Sequence, residues 1–300
     1  MIPNTTTKNI FRLTVVLFSL IGLISITVAK EENIVPKNPE FKKRDPALLI
    51  SATTLMQKLK DGQRIAFVDV RTKETFEKFR IPGAINIPLH FIKTKAFLKM
   101  SPIVLINEGY RYSELEQEVL HLRDKGFNAS ILAGGLSAWK EKGGKIEGDP
   151  FAQAELNKLP PHAFYKEKDF DNWIIIDVST VQTPFRALSR AIHVPLAPSQ
   201  GSKELGKGGF SEKMLRRAVN RAVRERNLPF YSVLIVNESG EVNKDVKEIV
   251  KRSGIENVFY LAGGLKEYQV YLNRLALSWK SRKERVKSVG GCETCGKKVD

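Results

Sequence analysis

Leu132-Ala133-Gly134-Gly135-Leu136 occurs a second time in this chain, as Leu261-Ala262-Gly263-Gly264-Leu265. Each copy follows an apolar run that is typical of a buried strand. Two identical pentapeptides in the same local context indicate an internal repeat. The 300 residues are therefore expected to fold as two similar domains.

Three further segments upstream of each pentapeptide match between the two halves, in the same order. The matched pairs are residues 65–71 with 173–179, residues 81–89 with 188–196, and residues 102–107 with 232–237. Each pair contains a short apolar run closed by polar residues or proline, as expected for strands of a parallel sheet. In the second half, residues 232–237 are followed by apolar residues at the spacing of one helix face, Val246, Ile249 and Val250. The pattern predicts an α/β fold, with a mostly parallel sheet in each half and helices on both faces.

The motifs of the first half resemble those of the rhodanese domain. They are Asp69-Val70-Arg71, Ile81-Pro82-Gly83-Ala84-Ile85-Asn86-Ile87-Pro88, the strand before Asn107, and Gly126-Phe127 leading to Gly134-Gly135 with Trp139. The second half resembles the family more loosely, since Ser189-Arg190 replaces the usual Pro-Gly. The resemblance implies two rhodanese-like domains, which we place at residues 46–146 and 160–279, with a proline- and glycine-marked linker between them.

The resemblance also implies a sulfurtransferase scaffold, in which a cysteine at the end of the fourth strand carries sulfane sulfur as a persulfide. The equivalent positions in this chain are Asn107 and Asn237. Persulfide chemistry needs a soft nucleophile with a lowered pKa, and an asparagine amide has no nucleophilic lone pair for that role. We therefore expect neither position to be catalytic. An asparagine at a strand-to-helix junction is often only a cap or turn residue.

The loops that follow these asparagines are the candidate binding sites. Their residues are Glu108, Gly109, Tyr110, Arg111, Tyr112 and Ser113 in the first loop, and Glu238, Ser239, Gly240 and Glu241 in the second. The first loop, with one guanidinium and three hydroxyls, could hold a small anion or polar ligand. In the alternative interpretation its tyrosines only pack, and Arg111 pairs with Glu108 or Glu114. The two glutamates of the second loop oppose the binding of a dianion such as thiosulfate.

Both cysteines of the chain, Cys292 and Cys295, lie in a mobile basic tail that we place at residues 280–300. Their C-x-x-C spacing suits a redox or sulfur-carrier pair, or two of the four ligands of a metal site. A haem attachment would need histidine where Gly296 stands. An extended chain from Ser281 to Gly291 would reach roughly 35 Å, enough to bring Cys292 to a loop of the second domain. The alternative is an inert disulfide at a frayed end.

The N-terminal sequence predicts export. Lys8 and Arg12 precede an apolar stretch, and we interpret residues 1–29 as a signal peptide or an N-terminal membrane anchor. The rest of the protein is then periplasmic or otherwise extracytoplasmic.

The formal net charge of +16 is concentrated in residues 203–226 and 274–287. Such runs suit an anionic membrane surface or an acidic partner, but we favour the alternative that they form a solvated helix face. Nothing in the sequence resembles a nucleic-acid-binding module. The four histidines have no metal-ligand spacing, so neither a metal nor a cofactor is expected.

Two functions are compatible with these patterns. In the first, the chain is an exported tandem rhodanese-like protein that lacks cysteine-type activity and acts as a binding or scaffolding module for an unknown protein or a small anionic ligand. In the second, it is a sulfane-sulfur transferase or thiol-disulfide carrier that uses Cys292 and Cys295 beside a rhodanese-like docking surface.

Overall fold

The structure is a computed structural model that describes residues 41–179, 188, 190–194, 211–242 and 244–289, with side chains described through residue 281. All of these residues belong to one packing unit that begins at Phe41. The named strands of this unit form two five-stranded sheets and one two-stranded ribbon.

The strands and helices alternate along the described chain. The strands are β1 (Leu49–Ile50), β2 (Ala66–Asp69), β3 (Phe79–Arg80), β4 (Ile85–Asn86), β5 (Ile103–Ile106), β6 (Ala129–Leu132), β7 (Glu147–Gly148), β8 (Lys158–Leu159), β9 (Trp173–Asp177), β10 (Ile192–His193), β11 (Ser232–Val236) and β12 (Val258–Leu261). The α-helices are α1 (Ala52–Lys60), α2 (Lys73–Lys78), α3 (Ser113–Asp124), α4 (Gly135–Glu141), α5 (Pro150–Ala154), α6 (Pro161–Glu167), α7 (Glu212–Arg226), α8 (Lys244–Ser253) and α9 (Gly264–Val289). Short 3-10 helices lie at Pro46–Leu48, Leu89–Thr94 and Ala96–Met100.

Each half of the chain contributes one five-stranded sheet in which the strands pair in parallel. The first sheet has the order β1-β6-β5-β2-β4, and the second, followed from its β8 edge, has the order β8-β12-β11-β9-β10. The two orders correspond strand for strand, because β8 takes the place of β1 and β11 takes the place of β5. The predicted α/β class, with mostly parallel sheets flanked by helices, is confirmed.

Apolar side chains cover both faces of the central strands. In β5, Ile103 and Leu105 belong to one core cluster, whereas Val104 and Ile106 belong to another. The division follows from the strand geometry, in which successive side chains point to opposite faces of the sheet. The side chains of β11 divide in the same way between two clusters. Because both faces are buried, polar groups gather at the strand ends, where the loops begin.

Polar caps set the starts of several helices. Ser51 before α1, Thr72 before α2 and Ser211 before α7 each accept a hydrogen bond from a backbone N–H three residues ahead. Such caps satisfy donors that have no partner inside the helix, and they fix where the helix begins.

The last helix differs from the sequence interpretation. α9 continues through Val289, where we expected a mobile basic tail from residue 280 onward. Lys, Arg and Glu dominate this stretch and favour helix, and no glycine or proline interrupts it before Gly290. A helix advances about 1.5 Å per residue and an extended chain about 3.3 Å, so residues 281–289 span less than half of the expected reach. None of the described helices, α9 included, combines the length and the apolar character that a membrane span requires.

The predicted linker also contains two short strands. β7 pairs antiparallel with β3 of the first half, and β8 pairs in parallel with β12 at the edge of the second sheet. Two-residue strands are too short to show a periodicity, and the prolines and glycines around them indicated a turn instead.

Candidate functional site

The side chain of Asn107 closes the first loop from within. Asn107 directly follows β5, and only 1% of its surface is exposed. Its Oδ1 accepts a hydrogen bond from the backbone N–H of Gly109 at 2.8 Å, and its Nδ2 donates to the carbonyl of Arg111 at 2.6 Å. The amide therefore spans the loop and uses both of its polar atoms there.

The second loop repeats this arrangement at the end of β11. The Oδ1 of Asn237 accepts from the backbone N–H of Gly240 at 2.6 Å, and its Nδ2 donates to the carbonyl of Glu241 at 3.0 Å. The Ser239 hydroxyl accepts from the Glu241 N–H at 3.3 Å. Ser239 and Glu241 are exposed, while Glu238 is half-buried. Both asparagines thus act as turn residues that hold their loops closed.

The repeated pentapeptides support these loops from the neighbouring strand. In the first half, Leu136 N–H donates to the carbonyl of Asn107 at 2.9 Å, and the corresponding bond from Leu265 to Asn237 measures 2.8 Å. Gly135 adopts a φ of 52°, and a β-carbon there would lie 2.4 Å from the Gly109 nitrogen. Only glycine tolerates both this backbone conformation and this contact. The Gly-Gly pair is therefore required by the loop it supports.

The Asp-Val-Arg motif at the end of β2 forms a buried ion pair. The Asp69 Oδ2 accepts from Nη2 of Arg71 at 2.7 Å, and the same Nη2 donates to the Phe79 carbonyl at 2.6 Å. Burial raises the pKa of Asp69, and the Arg71 guanidinium opposes that shift. In the second half, the Asp177 Oδ1 accepts from the backbone N–H of Ser179 at 3.0 Å, and the Asp177 Oδ2 lies 3.4 Å from Nδ1 of His193. The motif thus ties β2 to β3 through its arginine.

The first loop is buried between the two halves. Tyr110 joins the core of the second half, where its ring meets Phe259 edge-on with 5.8 Å between the ring centroids. Tyr112 is fully buried in the first half, and its hydroxyl accepts from the Gly134 N–H at 2.5 Å. Burial raises the pKa of both tyrosines. Both rings are therefore packed, and Arg111 pairs with Glu108 at 3.0 Å.

A carboxylate from the second half occupies the start of α3. Glu167, at the end of α6, is 2% exposed. Its Oε1 accepts from the Tyr112 N–H at 3.2 Å, from the Ser113 N–H at 3.1 Å and from the Ser113 hydroxyl at 2.8 Å. The first N–H groups of a helix favour an anion, both as unpaired donors and through the helix dipole. In this protein the anion is supplied by the chain itself.

The buried junction between the two halves, around Glu167, also includes Arg44 from the segment that precedes β1. Its Nη2 donates to Glu167 Oε2, its Nη1 to Glu116 at 3.0 Å, and its Nε to the Asn172 Oδ1 at 2.9 Å. The guanidinium lies 3.8 Å from the centre of the Phe170 ring. Burial raises the pKa of Glu116, and the Arg44 charge partly offsets that effect. Arg44 thus joins residues from both halves in one buried network.

The segment before the first domain packs on the second half. Lys42 N–H donates to the Asp169 carbonyl, and the Lys42 carbonyl accepts from Asp171 N–H, both at 3.0 Å. Sequence reasoning missed this segment and Glu167. The run Lys42-Lys43-Arg44 has the composition of a solvated surface, and no local pattern shows that Arg44 is buried.

The remaining sequence predictions lie elsewhere. Cys292 and Cys295 fall outside the described residues, as do the signal or anchor segment at residues 1–29 and most of the basic run before α7. Among the residues that the structure describes, no group of His, Cys, Asp and Glu side chains is arranged to hold a metal ion.

These features define an α/β protein with two parallel sheets, whose strand-to-helix loops are closed by asparagine. Residues 51–142 match the family model of the rhodanese-like domain. A sulfurtransferase from Allochromatium vinosum is 28% identical over 99 residues, which cover 31% of this chain and 89% of that protein. The chain therefore contains a rhodanese-like domain and is homologous to sulfurtransferases.

Solved structures give partial similarities as well. The rhodanese-like domain from Anabaena sp is 31% identical, covering 34% of this chain and 79% of that chain with a TM-score of 0.30. A thiosulfate sulfurtransferase from Pseudomonas aeruginosa is 17% identical and covers 74% of this chain and 42% of that chain, also with a TM-score of 0.30.

Proposed function

We propose that this chain is an exported tandem rhodanese-like protein in which neither loop performs cysteine-type sulfur transfer, and that it acts as a binding or scaffolding module. The observation that carries the proposal is the closure of both loops by Asn107 and Asn237, each of which accepts from a glycine N–H and donates to the carbonyl four residues ahead. The matching strand order of the two sheets supports the tandem arrangement.

The chemistry of the loops supports the loss of sulfur transfer. A persulfide is stabilised by backbone N–H groups that point at the sulfur from a loop and a helix start. Here the N–H groups of Gly109 and Gly240 are bonded to asparagine oxygens, and the start of α3 is bonded to Glu167. Neither loop offers a thiol, and the N–H groups of Gly109, Gly240 and the start of α3 are already used by side chains of the protein.

An assay of thiocyanate formation from thiosulfate and cyanide, run on the full chain, tests this proposal. We expect no thiocyanate from the variant in which Cys292 and Cys295 are both replaced by serine, and the wild type serves as the matched comparison. Stoichiometric sulfur transfer that survives the loss of both cysteines would overturn the proposal, because the loops would then have to supply the chemistry.

A second candidate function rests on the C-x-x-C sequence of the tail. In it, Cys292 and Cys295 carry sulfur or exchange disulfides beside the rhodanese-like surface. Intact-mass measurement after polysulfide treatment separates the two functions. A mass gain of one sulfur atom that disappears in Cys292→Ser supports the carrier, whereas an unmodified chain supports the binding module.

A further inference from the structure

A crevice of about 180 Å³ lies at the amino ends of β9 and β11, the opposite edge of the second sheet from Asn237. Residues from the N-terminal segment, from the turn before β9 and from the turn after α7 line it. Its polar lining includes Lys43, Asn172 and Arg226, and its apolar lining includes Leu49 and Phe230. The crevice therefore combines hydrogen-bond donors with an apolar wall.

Two of these donors lack partners among the described residues. Asn172 is 2% exposed, and while its Oδ1 accepts from Arg44, its buried Nδ2 has no hydrogen-bond partner. Arg226 uses Nη1 to hold the Trp173 carbonyl at 2.9 Å, which leaves its Nε and Nη2 without a bond to the described part of the chain. A buried donor without an acceptor carries an uncompensated desolvation cost. A ligand that brings an acceptor would recover that cost.

The charge of the crevice favours an anion with a single charge. Arg44 also lines it, but its guanidinium is already bonded to Glu116 and Glu167, which are not part of the lining. The remaining charges are the cations Lys43 and Arg226 and the anion Asp171, which leaves one positive charge in excess. A carboxylate matches this charge, and its two oxygens can accept two parallel hydrogen bonds from a guanidinium.

The size and walls of the crevice restrict the rest of the ligand. Its volume is below the roughly 300–1,000 Å³ of pockets that hold drug-sized ligands, so the molecule must be small. Leu49, Leu228 and Phe230 offer an apolar surface for its body. These limits select a short carboxylic acid with an apolar substituent over an inorganic dianion.

We propose that this crevice binds a small organic monocarboxylate, with the carboxylate at Arg226 and Asn172 and the apolar body against Leu49 and Phe230. The site does not depend on the proposed function, because it lies away from the asparagine-closed loop of the second sheet and involves no sulfur chemistry.

Benzoate is a suitable probe, with benzyl alcohol as its uncharged analogue. Titration of the full chain at millimolar concentration, followed by amide shifts in NMR spectra, should give saturable changes near Lys43 and around residues 226–230 for benzoate alone. Equal changes with benzyl alcohol would show an apolar crevice without anion recognition, and the absence of saturable changes there would equally overturn the proposal.

Two variants test the donors, with a third as control. Asn172→Asp keeps the oxygen that holds Arg44 but replaces the unpartnered donor by a carboxylate, and we expect a loss of affinity of about tenfold or more. The exposed Lys43→Ala should weaken benzoate binding by a few-fold without affecting the fold. Lys213→Ala, an equally exposed lysine at the other end of α7, should bind as the wild type does. Wild-type affinity in both Asn172→Asp and Lys43→Ala would refute the assignment.

Discussion

Replacing Glu167 by glutamine tests whether the junction between the two halves depends on the charge of this buried carboxylate. In the native structure one oxygen accepts three hydrogen bonds at the start of α3, and the other is paired with Arg44. The glutamine has nearly the same shape, but it carries no charge and turns one acceptor into a donor. Its NH2 group must then face either Arg44 or the backbone N–H groups of α3.

The expected loss of stability follows from these contacts. Removing one partner of a buried ion pair costs about 3–5 kcal/mol, and the partner Glu116 that remains on Arg44 reduces this cost. The NH2 group of the glutamine then faces another hydrogen-bond donor, which adds about 1–3 kcal/mol to the loss of stability. These contributions sum to about 4–8 kcal/mol before the offset from Glu116, so we expect a net loss of at least about 3 kcal/mol, which for a chain of this size lowers the Tm by at least about 6–12 °C.

Urea unfolding followed by tryptophan fluorescence measures the loss, with calorimetry for the Tm. The matched control is Lys166→Ala, one residue earlier, which breaks only an exposed pair with Glu114 and should cost less than about 0.5 kcal/mol. A loss below about 1 kcal/mol in Glu167→Gln would refute the reasoning.

Three further predictions address the loops and the buried acids. Gly135→Ala should lower the free energy of unfolding in urea by about 3 kcal/mol, because a β-carbon there would clash with the backbone of the first loop. The control is Gly143→Ala, at a φ of 80° with open space around it, which should lower the free energy of unfolding by only about 1 kcal/mol. Burial raises the pKa of Glu116 above its ordinary value of 4.5, so this carboxyl lowers stability as the pH rises from about 4.5 through that raised value. Urea unfolding of Glu116→Gln should therefore show a smaller loss of stability over that range than the wild type; an equal or steeper loss in the variant contradicts this. With both tail cysteines replaced by serine, a thiol reagent should modify Asn237→Cys faster than Asn107→Cys, since residues of the other half cover the first loop; equal rates would count against that burial.

The fold was predictable because its main determinants are local in sequence. The apolar runs at β5 and β11 are buried on both faces, so they lack polar interruptions and show as continuous stretches. The repeated Gly-Gly was informative because Gly135 and Gly264 have a positive φ and lie against a loop backbone, where a side chain would clash. The positions of Asn107 and Asn237 at the strand ends followed from these two patterns.

The junction could not be predicted in this way, because it joins residues that are far apart in the chain. Arg44 and Glu167 are separated by 123 positions, and each lies in a segment whose charged residues are otherwise exposed. The burial of Tyr110 likewise depends on the other half, since its ring packs against Phe259. Hydrophobic periodicity describes one element at a time and carries no information on such pairings.

The two loops therefore differ in what a partner or ligand can reach, although their asparagines close them in a similar way. An anion approaching the start of α3 would have to displace Glu167 and leave Arg44 with one carboxylate fewer, at a cost of several kcal/mol. The second loop faces no such competitor among the described contacts, and Ser239 and Glu241 are exposed there. The exposed Glu241 favours a cationic surface over a sulfur oxyanion. If the chain is the binding module proposed above, the second loop is therefore the more accessible of the two, because the first loop is packed against residues of the second half.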